Sequence, residues 1–129
     1  MRQETTRNAA AGRLIGIVDD DEPVRDSISS LVRSAGFNAT AFPSAEAFLE
    51  SHPACNAACL ILDVRMPGMS GLDLQRRIAE TGSCVPVIFA TAHADDCVRR
   101  RAHEQGAIAV LRKPFSDEAL FQALGNALK

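Results

Sequence analysis

Five short apolar runs alternate with five amphipathic stretches along this chain, and that alternation constrains the fold more than any other feature of the sequence. The apolar runs occupy residues 14–18, 37–42, 59–62, 85–90 and 107–111. Four of these predicted strands, all but the second, lack the polar–apolar alternation of a half-exposed strand, which is typical of strands covered on both faces. The stretches that follow them carry apolar residues at helical spacing. The pattern therefore predicts an α/β protein in which helices cover both faces of a parallel sheet.

The connections between the strands narrow the topology. Five βα units of this length predict a doubly wound (βα)5 sandwich, and right-handed crossovers leave few strand orders open. The flavodoxin-like order 2-1-3-4-5 is the one we expect for five parallel strands. In such a sheet the functional site lies beyond the carboxyl ends of the strands, at the switch point between strands one and three. This rule selects the residues to which a function is assigned.

Charged and hydroxyl side chains follow four of the predicted strands. Asp19 and Asp20 follow the first strand, Asp63 the third, Thr91 the fourth and Lys113 the fifth. Crowded carboxylates repel one another unless a cation neutralises them, and hard oxygen ligands suit Mg²⁺. The ammonium of Lys113 offers a second positive charge at the same edge. Carboxylate, metal, hydroxyl and ammonium around one small volume predict a phosphoryl-binding site with Mg²⁺ as its cofactor.

Four motifs at this edge resemble the receiver domain of two-component response regulators. They are IVDDDEPVRDS (17–27), LDVRMPGMSGLDL (62–74), FATAH (89–93) and LRKPF (111–115). The resemblance extends over residues 14–129, which we predict to be one receiver domain preceded by a flexible lead-in at 1–13. The segments EPVRDS, SAEAFL and RMPGMSG are most similar to regulators of the nitrogen-fixation type, whose output is a helix-turn-helix domain.

The resemblance assigns a role to the carboxylates at the strand ends. It implies that Asp63 is the phosphoacceptor and that Asp19 and Asp20 are an acid pair that binds Mg²⁺. Further ligands of the ion would be the Asp63 carboxylate and the backbone carbonyl of Arg65.

The same resemblance implies that the phosphoryl oxygens are held by Thr91, the amide of Ala92 and Lys113. Family members aim this lysine inward with a cis peptide bond, so we expect a cis bond between Lys113 and Pro114. The sequence departs from the family at Val110, where many receivers carry a Tyr or Phe whose ring moves on activation. Because valine is short and has few rotamers, we expect the Val110 side chain to be a spectator.

The fourth predicted helix, at about 95–105, belongs to the face that the family uses for output. It is only weakly apolar, with Cys97, Val98 and Ala102 as its candidates for burial. Its basic run at 99–101 is interpreted as a solvated helix face, with docking of a partner as the alternative.

By resemblance, the chain accepts a phosphoryl group from a sensor histidine kinase. The product then switches a face built from the fourth helix, fifth strand and fifth helix, with homodimerisation as one outcome. We expect transcription to be controlled through a separate output domain. The chain would catalyse only its own phosphorylation and dephosphorylation, so it is not predicted to be an enzyme.

Three alternatives remain open at this stage. The chain could be a free-standing receiver that relays phosphoryl groups. A haloacid-dehalogenase-like phosphatase uses an Asp-x-Asp after its first strand, which residues 19–21 spell, but Glu22 and Pro23 follow where that family has a small hydroxyl residue. We instead interpret Asp21 and Glu22 as acids at the start of a helix, favoured by its dipole. A flavodoxin-like FMN protein is disfavoured by the acids and by the lack of Trp and Tyr.

Charge and hydropathy bear on partners and location. A formal net charge of -2 argues against binding of nucleic acid by the chain's own field, so contact with DNA is expected only through an output domain. No apolar run reaches the roughly 18 residues of a membrane helix, and residues 1–13 lack the apolar segment of a secretory signal. The four cysteines are therefore interpreted as reduced thiols, and the predicted location is cytoplasmic, with no membrane partner.

Overall fold

The computed structural model describes residues 13–51 and 57–128, which form a five-stranded parallel sheet with helices on both faces. Its strands are β1 (Leu14–Val18), β2 (Asn38–Phe42), β3 (Ala57–Leu62), β4 (Val87–Thr91) and β5 (Ala109–Arg112). Their order is β2-β1-β3-β4-β5, and every neighbouring pair is parallel. The predicted flavodoxin-like topology is therefore confirmed. The lead-in predicted at 1–13 lies outside the described residues except for Arg13.

The helices of the described residues are α1 (Glu22–Ser34), α2 (Ala45–Ser51), α3 (Gly71–Glu80), α4 (Asp96–Glu104) and α5 (Asp117–Ala127). All five begin at a side chain that accepts a hydrogen bond from an amide of the first turn: Asp21, Ser44, Ser70, Asp95 and Ser116. Such caps satisfy amides that have no partner inside the helix. Asp21 and Glu22 thus begin α1, as the sequence predicts.

Alternate residues of the central strands pack against opposite helix layers. One apolar cluster joins the sheet to α1 and α5 and includes Ile15, Ile17, Ile61, Ile88 and Leu120. The other lies under α2, α3 and α4 and includes Val18, Phe48, Leu60, Leu62 and Phe89. This double coverage explains why β1, β3 and β4 are apolar without alternation.

Two predicted features differ in the structure. The fifth strand was expected to be covered on both faces, but β5 is only half-buried because it forms an edge of the sheet. On α4 only Val98 and Ala102 are buried, whereas Cys97 is exposed. Cys97 is one residue before Val98, which places it about 100° around the helix and away from the core. α4 therefore packs against the core through fewer side chains than the sequence predicted.

Candidate functional site

Three carboxylates meet where β1 and β3 end. Asp19 directly follows β1 and Asp63 directly follows β3, and the Asp63 amide donates to the Val18 carbonyl at 2.9 Å. Asp19 is 1% exposed and Asp63 is 8% exposed, whereas Asp20 is exposed to solvent. One oxygen from each of the three carboxylates lies within 4.8 Å of the others. The predicted switch point therefore brings the three predicted acidic residues together.

Lys113 places an ammonium among these carboxylates. Its Nζ lies 2.6 Å from Oδ2 of Asp19 and 3.5 Å from Oδ2 of Asp63. Its main chain is anchored to the neighbouring strand, because the Lys113 amide donates to the Thr91 carbonyl at 2.9 Å. The peptide bond between Lys113 and Pro114 is cis, which confirms that prediction. The lysine therefore pairs more closely with Asp19 than with the predicted phosphoacceptor.

Burial raises the pKa of the Asp63 carboxyl above its ordinary value, and Asp19 raises it further, although Lys113 opposes both effects. One ammonium thus leaves part of the negative charge of three carboxylates uncompensated. Three carboxylate oxygens around one space, one of them exposed, are a set of hard ligands that suits Mg²⁺ with room for water. The residues present fit the predicted ion.

The remaining predicted residues lie around the same edge. Thr91 is the last residue of β4, is fully buried, and its Oγ1 accepts from the amide of His93 at 3.0 Å. Ala92 follows it at an exposed position, and Arg65 is exposed in the loop two residues after Asp63. The roles of the Thr91 hydroxyl, the Ala92 amide and the Arg65 carbonyl remain predictions.

Comparison with known proteins decides what this arrangement is. Residues 15–125 match the family described as the response regulator receiver domain, which covers most of the chain. The chain belongs to this family. The predicted resemblance to two-component response regulators is therefore confirmed, and the matched range includes every residue placed at the edge of the sheet.

Individual relatives of this receiver domain are regulators of transcription or response regulators by name. The chain is 49% identical over 116 residues to the response regulator protein TmoT of Ectopseudomonas mendocina, covering 90% of the chain and 53% of TmoT. It is 38% identical over 115 residues to the transcriptional regulatory protein FixJ of Bradyrhizobium diazoefficiens, covering 89% of the chain and 56% of FixJ. The solved structure of the response regulator StyR superposes with a TM-score of 0.83 at 42% identity, covering 92% of the chain and 60% of StyR.

The chain thus spans about half the length of the curated relatives that it matches. In the part of the chain that the structure describes, none of the helices has the length and apolar content needed to cross a membrane.

Three contacts that support this receiver site were not predicted from the sequence. Arg25 donates from Nη1 to the carbonyl of Asp19 at 2.7 Å. Glu46 accepts from the amide of Met69 and so braces the loop that leads to α3. Gly71 begins α3 in close contact with the main chain that follows β3. All three residues lie in segments that resemble the family. From the sequence alone, however, Arg25 is only a polar helix residue, Glu46 an acid in the first turn of a helix and Gly71 a turn glycine.

Proposed function

We propose that Asp63 accepts a phosphoryl group from the phosphohistidine of a sensor histidine kinase, and that the phosphorylated chain controls transcription through a separate output domain. The observation that carries this proposal is the position of Asp63: a buried carboxylate between Asp19, Asp20 and the ammonium of Lys113. The transcriptional role is supported by relatives named as transcriptional regulatory proteins, FixJ and TdiR, which are about twice as long as this chain.

In the proposed reaction, a carboxylate oxygen of Asp63 attacks phosphorus. The bond between phosphorus and the donor's imidazole nitrogen breaks, and its electron pair leaves with the imidazole. The product is an aspartyl phosphate, which water later hydrolyses to phosphate and the free carboxylate. Because the chain performs only these two steps on itself, it is not an enzyme acting on a free metabolite.

The neighbouring residues hold the reacting groups. Asp19, Asp20, Asp63 and the Arg65 carbonyl would hold Mg²⁺, which supplies positive charge that offsets repulsion between the carboxylate and the incoming phosphoryl group. The ammonium of Lys113 is already 3.5 Å from Asp63, within reach of oxygens on a group attached there.

The Thr91 hydroxyl and the Ala92 amide would bind the remaining phosphoryl oxygens. Thr91 is buried and its hydroxyl accepts from the amide of His93, so movement of this hydroxyl toward the phosphoryl group would either carry the loop after β4 with it or break that bond. New contacts of this kind favour one of two arrangements of the neighbouring elements.

The face that would respond is built from α4, β5 and α5. α4 buries only Val98 and Ala102 of its own residues, so moving it breaks few apolar contacts. A large apolar side chain on this face, Ile108, is 41% exposed and lies beside Arg99 and His103 of α4. Homodimerisation through this face would cover it, while DNA is contacted only by the output domain. A two-component protein of this kind functions in the cytoplasm.

The proposal is tested by incubating the chain with acetyl phosphate and Mg²⁺ and measuring its intact mass. The wild type should gain the mass of one phosphoryl group, and omission of Mg²⁺ or substitution Asp63→Asn should abolish the gain. Asp21→Asn is the matched control, because Asp21 lies near the site but caps α1. An equal gain in Asp63→Asn would show that another residue is the acceptor.

A further inference from the structure

Arg25 is a partly buried arginine on the helix that follows the acid pair. It is the fourth residue of α1, and its side chain is only 15% exposed. The guanidinium folds back past the start of the helix, and Nη1 donates to the main-chain carbonyl of Asp19 at 2.7 Å. A hydrogen bond of this length from a charged donor is among the stronger kinds in proteins.

The carbonyl that Arg25 binds lies beyond the hydrogen-bonded part of β1. Pairing of β1 with both of its neighbours ends at Val18, so the Asp19 carbonyl lies one residue beyond the last paired position. The other polar atoms of Asp19 also have partners: its amide donates to Phe42, and its two carboxylate oxygens accept from Asp21 and Lys113. Arg25 completes this set, so that Asp19 is held through its main chain and its side chain.

Fixing the Asp19 carbonyl also fixes the residue that follows it. The peptide unit is planar, so the direction of the Asp19 carbonyl sets the orientation of the bond that leads to Asp20. Asp20 is exposed, in contrast to the buried Asp19 and Asp63. Its carboxylate nevertheless lies within 4.8 Å of theirs. The main-chain contact from Arg25 is therefore a direct means of keeping Asp20 in that position.

Stabilisation of the helix does not explain the location of Arg25. A positive charge near a helix N-terminus is unfavourable, because the free amides there already carry partial positive charge. The nearest carboxylate on the same helix, Glu22, is 4.0 Å away and 77% exposed, so this pair contributes little. The contact that accounts for the buried guanidinium is the one to Asp19.

We propose that Arg25 is a positioning residue for metal binding: by holding the Asp19 carbonyl, it keeps Asp20 directed toward the ion that Asp19 and Asp63 also bind. This inference rests on the proposed function of the site. The positive charge of Arg25 by itself repels Mg²⁺, so loss of the charge alone would tighten Mg²⁺ binding. Loss of the positioning contact would instead weaken Mg²⁺ binding, so the two effects are distinguished by their sign.

The test compares Mg²⁺ binding in Arg25→Met and Arg33→Met by titration calorimetry. Arg33 is the matched control, because it lies on the same helix and also donates to a main-chain carbonyl, that of Ala39 at 3.3 Å, away from the site. Arg25→Met should bind Mg²⁺ about tenfold more weakly, as expected for loss of an outer partner of a metal ligand. Arg33→Met should bind like the wild type. Binding by Arg25→Met that is unchanged or tighter would overturn the inference.

A second measurement separates positioning from general damage to the fold. The rate of phosphorylation by acetyl phosphate is measured against Mg²⁺ concentration in the wild type, Arg25→Met and the milder Arg25→Gln, whose amide is too short to reach the carbonyl. Both variants should need about tenfold more Mg²⁺ for half-maximal rate and approach the wild-type rate at saturation. A lowered maximal rate with unchanged Mg²⁺ dependence would contradict the inference. A wild type that gains no phosphoryl group would instead overturn the proposed function.

Discussion

Substitution of Gly71 by alanine tests how closely α3 packs against the chain that carries Asp63. A Cβ atom on Gly71 would lie 2.0 Å from the carbonyl oxygen of Asp63 and 2.9 Å from its carbonyl carbon. Both are main-chain atoms, so no change of rotamer relieves the contact. The Gly71 amide also donates to the Val64 carbonyl at 2.9 Å, which holds the two segments together. Alanine at this position must therefore move the backbone beside the phosphoacceptor.

The size of the effect follows from these distances. Real Cβ contacts essentially never fall under 3.0 Å, so the contact at 2.0 Å requires a displacement of about 1 Å. Overpacking of this kind costs about 1–3 kcal/mol. The helix preference of alanine over glycine, about 1 kcal/mol in a helix interior, offsets only part of that cost. We expect a net loss in the free energy of unfolding of up to about 2 kcal/mol. A 1 Å misplacement of a reacting group can slow a reaction by about 10²-fold.

Urea unfolding and the rate of phosphorylation by acetyl phosphate measure the two effects of Gly71→Ala. Gly125→Ala is the control, because Gly125 is an exposed residue of α5 whose Cβ would meet nothing within 4 Å. That variant should be more stable than the wild type by up to about 1 kcal/mol and should react at the wild-type rate. If Gly71→Ala matched the wild type in both stability and rate, the argument from close packing would be wrong.

Three further predictions concern the site itself. Asp20→Asn should weaken Mg²⁺ binding by more than about tenfold, whereas Asp21→Asn, at the helix cap, should leave it nearly unchanged; equal losses in titration calorimetry would contradict the assignment. Burial raises the pKa of Asp63, so in metal-free buffer the contribution of this carboxyl to stability falls as pH rises from about 4 through its higher pKa in the folded protein. Asp63→Asn should therefore be the more stable protein near neutral pH and lose that advantage in acid, as measured by urea unfolding across this range. If beryllofluoride promotes dimerisation in analytical ultracentrifugation, Thr91→Ala should abolish the gain and Val110→Ala should keep most of it; equal losses would show that the Val110 side chain takes part.

The positions of the candidate site residues could be predicted because they depend on strand order alone. Once the apolar runs are assigned to a parallel sheet, Asp19, Asp63 and Lys113 follow strands whose carboxyl ends share one edge. No side-chain packing has to be known for that step. The structure adds the distances, and with them the finding that the ammonium is nearer to Asp19 than to Asp63.

The supporting contacts could not be predicted, since each depends on how two segments pack. In the sequence, Arg25 is a polar residue of a helix, and nothing in its spacing shows that its side chain folds back onto a carbonyl six residues earlier. Gly71 ends a loop rich in Pro, Gly and Ser, which is typical of a turn glycine. Its role in the structure is instead to let a helix approach main-chain atoms.

The start of β4 differs from the predicted strand because of one residue. The predicted strand included Pro86, which lacks an amide, and pairing with β3 begins at Val87.

In the proposed switch, α4 supplies main-chain contacts in place of the aromatic side chain that many receivers carry at position 110. The basic run on α4 was interpreted as a solvated face, and its arginines are exposed, yet Arg99 also donates to the carbonyls of Ala94 at 3.1 Å and Val110 at 3.3 Å. One side chain therefore joins the loop after β4 to β5. In the proposed switch, movement of that loop changes these bonds whatever residue occupies position 110, because every residue supplies a carbonyl. According to this proposal, the shift of Thr91 would reach β5 through these main-chain bonds, without an aromatic ring at position 110.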